Sequence, residues 1–411
     1  MNPMPHLLLQ LAVILGVARL LASLLHRFGQ PPVIGEMIAG ILLGPLVFGA
    51  LAPDWQATIF PAGKLGALDG LSQVGLVLFM LVVGAELRAP AGSRARLLAA
   101  GWIGTLGVLV PMLLGLAIAP VLHPRFAPPG IGMWPFALFM AASMAITAFP
   151  VMARILKDRG MTRSPLGQLA LGAAAVADVL AWIVLALVVA LISARGGWGV
   201  FARTGIGLIA IVAIAFGLLR PAIARLLARH ASDGRPDGAV LSLLLIGACA
   251  MAAATEWLGL HAVFGAFLFG ACLPRDERLL QTLIERLEHV AVLMLMPVFF
   301  ALAGLGMTRE AFSGAGAGAL LLILAAAVLG KLLGAGGGAR IAGLAWRDCC
   351  AVSALMNARG MMELIVLKVG LDAGVIGAEI FTLLVVMTIV TTLMTSPALK
   401  LCLRGDRRTA P

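Results

Sequence analysis

Charged residues are scarce in this chain. Asp, Glu, Lys and Arg make up 12% of its 411 residues, against roughly 25% in soluble domains. With 61% of residues hydrophobic, too little polar surface remains to cover a water-soluble globule, and the same excess excludes disorder and a collagen-like repeat. Cysteines are few as well. There are five, none in a CxxC pair, and only Cys349 and Cys350 are neighbours. That excludes a disulfide framework, so they read as buried reduced thiols. The six histidines lack the spacing of metal ligands, and no cofactor or enzyme activity is expected. Gly330-Lys331 lacks both the Ser or Thr and the preceding strand of a phosphate loop. The first apolar run has no basic n-region and is too long for a secretory signal peptide.

What fills the chain instead is long apolar runs. A bilayer core of about 30 Å takes roughly 20 helical residues. Runs between Gly, Pro and charge clusters predict helices at 5–26, 33–52, 70–87, 97–121, 133–157, 166–193, 204–228, 239–257, 259–273, 288–307, 315–342, 349–370 and 374–402. The seventh is interrupted by Arg220, Pro221 and Arg225, and the ninth is short. Residues 1–403 then form one all-α integral membrane domain of about 13 transmembrane helices, and 404–411 a short cytoplasmic tail.

The formal charge of +11 would suit nucleic acid in a soluble protein. Here it sorts by loop. Loops and flanking turns that alternate along the chain carry 21 Lys and Arg on one side and 5 on the other. The basic side is the cytoplasmic one. The N-terminus is therefore expected outside and the C-terminus in the cytoplasm of the inner (plasma) membrane, and no nucleic-acid partner is expected.

Two predicted helices carry internal breaks. Helix 5 contains Ser143, Thr147 and Pro150. The proline removes one amide and displaces the carbonyl of Ile146. Helix 12 contains Asn357, Arg359, Gly360 and Glu363 within an otherwise apolar span. Helices 1–6 (about 5–193) start from outside. With 204–228 as a linker helix, helices 8–13 (about 239–402) start from inside. The chain thus reads as two inverted six-helix repeats, with discontinuous helices 5 and 12 at matching positions. Paired breaks of this kind point to a transporter's midplane site, because irregular backbone at that depth is tolerated only around a cavity.

An ionisable group at the bilayer centre costs about 2.5–3.5 kcal/mol or more. Asp178 near the middle of helix 6 and Lys331 near the middle of helix 11 therefore stand out. A dehydrated carboxylate holds either a proton or a hard monovalent cation. Asp178 is the expected shared site, with Thr147 and freed carbonyls as neutral oxygen ligands and Lys331 as the competing cation. The i, i+4 spacing of Arg359 and Glu363 allows a local pair that supports the broken helix. Glu36, Glu86 and Glu256 lie near span ends and are read as interfacial. The Gly334–Gly338 run is read as close helix packing.

Several stretches resemble the monovalent cation:proton antiporter-2 family, which includes bacterial sodium/proton antiporters and Kef-like transporters. They are Gln30-Pro-Pro-Val-Ile-Gly-Glu36 through Pro45, Phe79 to Glu86, Thr147-Ala-Phe-Pro-Val-Met-Ala-Arg154, Asp178-Val-Leu-Ala-Trp182, Pro297 to Leu305, Met356-Asn-Ala-Arg-Gly-Met-Met-Glu363 and Val390 to Pro397. The resemblance implies crossed discontinuous helices 5 and 12, a homodimer, and exchange of Na⁺ or K⁺ for H⁺ with a role in pH homeostasis. It also implies Asp178 as the ion-binding aspartate and Lys331 as its partner. Many electrogenic relatives carry a second Asp just before the essential one, whereas this chain has Ala177. One proton per cation, and so electroneutral exchange, is expected. The nucleotide-binding domain of Kef-like members has no counterpart here, so gating through one is not expected. Two other readings fit the bare pattern: a sodium-coupled organic-solute symporter, which needs a large polar cavity, and a transport-inactive membrane sensor.

Overall fold

The computed structural model describes residues 4–86, 93–162, 164–193, 198–230, 236–258, 261–274, 276–288 and 290–403. The predicted tail, 404–411, lies outside them. Among the described residues there is no strand. The helices are α1 (Met4–Arg27), α2 (Pro32–Leu43), α3 (Phe48–Leu51), α4 (Pro53–Ile59), α5 (Gly66–Glu86), α6 (Arg94–Phe126), α7 (Met133–Ala145), α8 (Phe149–Asp158), α9 (Pro165–Ser193) and α10 (Trp198–Ile214). They continue as α11 (Arg220–His230), α12 (Gly238–Trp257), α13 (Ala262–Ala271), α14 (Glu277–Leu283), α15 (Met296–Leu305), α16 (Gly316–Ile341), α17 (Trp346–Met356), α18 (Met361–Asp372) and α19 (Ala378–Leu403). Among the described residues eleven helical runs are long and apolar enough to cross a membrane; the bent pair α17–α18 makes a twelfth, and α13 is a shorter apolar helix. These match the thirteen predicted positions one for one.

The boundaries differ where proline meets an uninterrupted helix. The run through Arg220 and Pro221 is not broken: a π-helical turn, Ala215–Leu219, joins α10 to α11 just before Pro221. The tenth predicted helix begins earlier, at Glu277, and passes through π turns at Ile284–Glu288 and Ala291–Leu295 before Pro297. A wider turn absorbs the register change that a missing amide imposes.

The chain forms two compact units. The first comprises Met1–Leu15, Gln56–Arg88 and Val189–Leu302. Its core joins Leu81 and Val82 of α5 to Leu244 and Met251 of α12 and to Phe269 of α13. The second comprises Gly16–Trp55, Ala89–Val188 and Ala303–Pro411. It holds α6 to α8, most of α9, and α16 to α19, so it draws helices from both predicted repeats. Its inner part is built twice as a long helix, a broken helix and a long helix: α6, α7/α8, α9 and α16, α17/α18, α19.

Glycine sets the spacing in this unit. A Cβ on Gly330 would lie 2.9 Å from the Pro111 Cα, and one on Gly338 would lie 2.6 Å from the Trp102 carbonyl oxygen. One on Gly334 would fall on the carbonyl oxygen of Leu106. This i, i+4, i+8 stripe lets α16 lie directly on the backbone of α6, and the position after its first member is Lys331. Glu36, near a span end, is enclosed by protein. It is buried, 4% exposed, because neighbouring Gly35 lets α2 approach the Leu21–Ala22 backbone of α1.

Candidate functional site

The site forms where α7 stops. Ala145 is its last residue, and Ile146 (ψ 139°) and Ala148 (ψ 94°) are extended. Pro150 sits in the first turn of α8, where a missing amide costs nothing. The second break follows α17. Asn357 caps that helix, Ala358 to Gly360 leave helical geometry, and α18 departs at 47° to α17.

The two breaks meet. The Ala148 amide donates to the Ala358 carbonyl at 2.9 Å, and the Thr147 hydroxyl donates to the Met356 carbonyl at 3.4 Å. Each link satisfies a backbone group that the interrupted helices leave orphaned. Close approach is possible at Gly360, where a Cβ would stand 2.7 Å from a Val151 methyl.

Two buried cations close the end of α7. Arg359 donates through Nη1 to the Ser143 carbonyl at 2.9 Å and through Nη2 to the Met144 carbonyl at 2.7 Å. Its Nη1 is also 2.9 Å from both Glu363 oxygens. The Thr392 hydroxyl accepts from the Arg359 amide and donates to its carbonyl. Lys331 takes the next carbonyl: its Nζ donates to Ala145 O at 2.7 Å, to Thr147 Oγ1 at 2.7 Å and to Gly107 O at 2.9 Å. Positive charge at a helix C-terminus is favourable, and α7 has two such charges.

Gly107 lies inside α6, where its carbonyl would ordinarily accept from the amide four residues on. That residue is Pro111, which has none. Neither Gly107 nor Pro111 figures in the sequence reading, although a proline inside a long apolar helix signals a free carbonyl one turn back. The buried stripe Thr388, Thr391, Thr392 and Thr395 on α19 was also missed; its i, i+3, i+4, i+7 spacing was the available sign.

Asp178 projects from α9 and is 4% exposed. It lines a cavity of about 10 Å³ with Ile146, Ala181, Trp182, Leu185, Met362 and Val366, room for about one water-sized sphere. No ion pair joins Asp178 to Lys331 among the described residues. The ammonium that acts on Asp178 electrostatically is that of Lys331, but its three donors are spent on neutral oxygens. Of the other expected residues, Ser143 turns its hydroxyl back to Met140 O and contributes its carbonyl instead. Asn357 donates to Thr391 O at 3.3 Å, while its buried Oδ1 has no hydrogen-bond partner among the described residues.

A family model described as sodium/hydrogen exchanger, transmembrane, matches residues 12–404. The Na⁺/H⁺ antiporter NhaS4 of Synechocystis is 38% identical over 401 residues, 96% of this chain and 97% of that protein. Cation/H⁺ antiporter 19 of Arabidopsis thaliana is 34% identical over 99% of this chain, which spans 51% of the plant protein. K⁺/H⁺ antiporter 1 of Saccharomyces cerevisiae is 32% identical over 97% of this chain and 46% of its own length. Among solved structures, the sodium proton antiporter MjNhaP1 of Methanocaldococcus jannaschii covers 98% of this chain and 100% of its own, with a TM-score of 0.67 at 16% identity. That likeness bears on the fold, which is the all-helical inverted-repeat one.

Proposed function

Since the chain belongs to the transmembrane sodium/hydrogen exchanger family, a family of transporters rather than enzymes, we propose that it is an antiporter that trades Na⁺ or K⁺ for H⁺ at Asp178. One carboxyl group holds a proton or a dehydrated cation by turns, so an inward proton gradient drives the cation out. Thr147 and the carbonyls of the α7 break supply neutral oxygens for a hard cation. Arg359 and Glu363 hold the break in shape.

The observation that carries this reading is the cavity at Asp178. At about 10 Å³ its volume suits a bare ion, which supports ion exchange over organic-solute symport. Ala177 is buried beside Asp178 and offers no second carboxyl, which supports one proton per cation and no net charge movement. The uneven distribution of basic residues supports an external N-terminus and a cytoplasmic C-terminus in the plasma membrane, and the family resemblance supports a homodimer. The test is exchange in proteoliposomes with an internal pH dye, adding Li⁺, Na⁺, K⁺ and Rb⁺ in turn. Asp178→Asn is expected to abolish exchange with every cation, and full exchange by that variant refutes the site.

A further inference from the structure

We propose that the cleft bounded by His26, Arg159 and Ser396 is a phosphate-binding site, taking a phosphate group that is free in solution or carried at the head of a membrane lipid. It is separate from the residues of the helix breaks, and exchange at Asp178 is not a premise for it.

The cleft has a volume of about 270 Å³, against about 10 Å³ at Asp178. His26, Gly29, Pro31, Ile155, Arg159 and Ser396 line it, all from the second compact unit. Two helix ends fix its cations. α1 is closed by Gly29, whose φ of 71° lets the Gln30 amide return to the Leu25 carbonyl at 3.1 Å. α8 is closed in the same way by Gly160, at φ 66°, with the Met161 amide on the Leu156 carbonyl at 2.8 Å. His26 is thereby held in the last turn of α1 and Arg159 at the end of α8.

The chemistry of the lining selects an anion. Arg159 donates through Nη2 to the Ser396 carbonyl at 2.8 Å. That bond anchors the guanidinium and leaves the rest of its planar fork for a second acceptor, for which phosphate oxygens are well spaced. Burial pushes the Arg159 guanidinium below its ordinary value, and an anion at the fork would offset that. His26 is exposed and lines the same space, so it adds a donor, and a second charge when protonated. α2 begins at Pro32, next to the lining residue Pro31, which brings the positive end of a helix dipole to the edge of the cleft. Among the described residues no carboxylate lines it, so a metal ion finds repulsion there rather than ligands.

Basic residues that only orient a membrane protein stand in solvent, whereas Arg159 is tethered to the wall of a cleft. The apolar side chains of Ile155 and Pro31 offer contact for the glycerol of a lipid. A phosphate bound here would tie α8, the second half of a broken helix, to α19 one turn beyond Thr392, whose hydroxyl holds the Arg359 backbone.

The test uses two probes on the purified full chain: phosphatidylglycerol retained in native mass spectrometry, and inorganic phosphate in equilibrium dialysis without added lipid. The wild type is expected to bind at least one of them about tenfold more tightly than Arg159→Gln, the loss of one charge-assisted hydrogen bond. His26→Glu, a change at an exposed position that leaves the fold alone, is expected to weaken binding by a similar factor through repulsion. Arg27→Gln, at an exposed neighbour outside the lining, should bind as the wild type does. Binding of inorganic phosphate that both cleft variants lose assigns the site to free phosphate; retention of phosphatidylglycerol alone assigns it to the headgroup. Equal binding by the wild type, Arg159→Gln and His26→Glu, or no binding of either probe, overturns the site. Equal weakening by Arg27→Gln overturns it as well, since that marks diffuse attraction to a basic surface.

Discussion

Arg359 and Glu363 face each other one helical turn apart, with Nη1 2.9 Å from both carboxylate oxygens and both side chains fully buried. The same nitrogen reaches the Ser143 carbonyl of the other broken helix, so one guanidinium links the two interruptions. Removing one partner of a buried pair leaves an uncompensated charge, at a cost of about 3–5 kcal/mol. Arg359→Met and Glu363→Leu should each lower the unfolding temperature of the detergent-purified protein markedly. The double variant should lose less than the two single losses added together. Strictly additive losses in thermal unfolding would show that the pair does not act as a unit.

Helix packing gives a second prediction. Gly334 meets the Leu106 carbonyl of α6, whereas a Cβ on Gly337, three residues on, has nothing within 4 Å. Gly334→Ala should destabilise the protein by about 1–3 kcal/mol through overpacking and displace Lys331 from Gly107. Gly337→Ala should be neutral or slightly stabilising, since alanine favours the helix. Side-by-side melting curves check this. Similar behaviour of the two variants would mean that α16 and α6 are not packed backbone to backbone there.

The parts of this architecture that were legible share a local cause. Pro150 marks a missing amide in its own helix, and the cluster from Asn357 to Glu363 marks polar atoms that an unbroken apolar span could not satisfy. Both breaks fall where those residues stand. The partner of Lys331 was not legible in the same way. The sequence reading names only Asp178, on which the ammonium does act electrostatically; its hydrogen bonds go instead to neutral oxygens, including that of Gly107, 224 residues away, because the glycine stripe of α16 fixes its register on α6. A charge invites pairing with the opposite charge when only residue types are compared. Which oxygen the side chain meets depends on interhelical register, and a carbonyl freed by proline carries no mark in its own residue name. The burial of Glu36 was not legible for a related reason. Its depth depends on how closely α2 approaches α1, and Gly35 sets that approach.

Orientation is open to a direct check. The proposed topology, argued from the uneven loop charges, has Lys64 outside and Lys400 in the cytoplasm. In a background with the five native cysteines replaced by serine or alanine, Lys64→Cys in intact cells should react with a membrane-impermeant maleimide. Lys400→Cys should react only after the membrane is opened. The reverse pattern would invert the proposed topology and with it the direction of ion flow.

Charge movement is the most demanding prediction. Exchange at a single carboxyl replaces one positive charge with another. Ala177, fully buried and without a titratable group, leaves the position before Asp178 unable to carry a second proton. Proteoliposomes held at a potassium–valinomycin diffusion potential should therefore show Na⁺/H⁺ exchange at a rate independent of voltage, and solid-supported membrane recordings should show no sustained current. Placing a carboxyl there with Ala177→Asp should introduce a voltage dependence if the second group titrates during the cycle. A sustained current in the wild-type protein would mean that another buried group carries the extra proton, and Glu36 and Glu363, both buried in the same compact unit as Asp178, would be the first to substitute by glutamine.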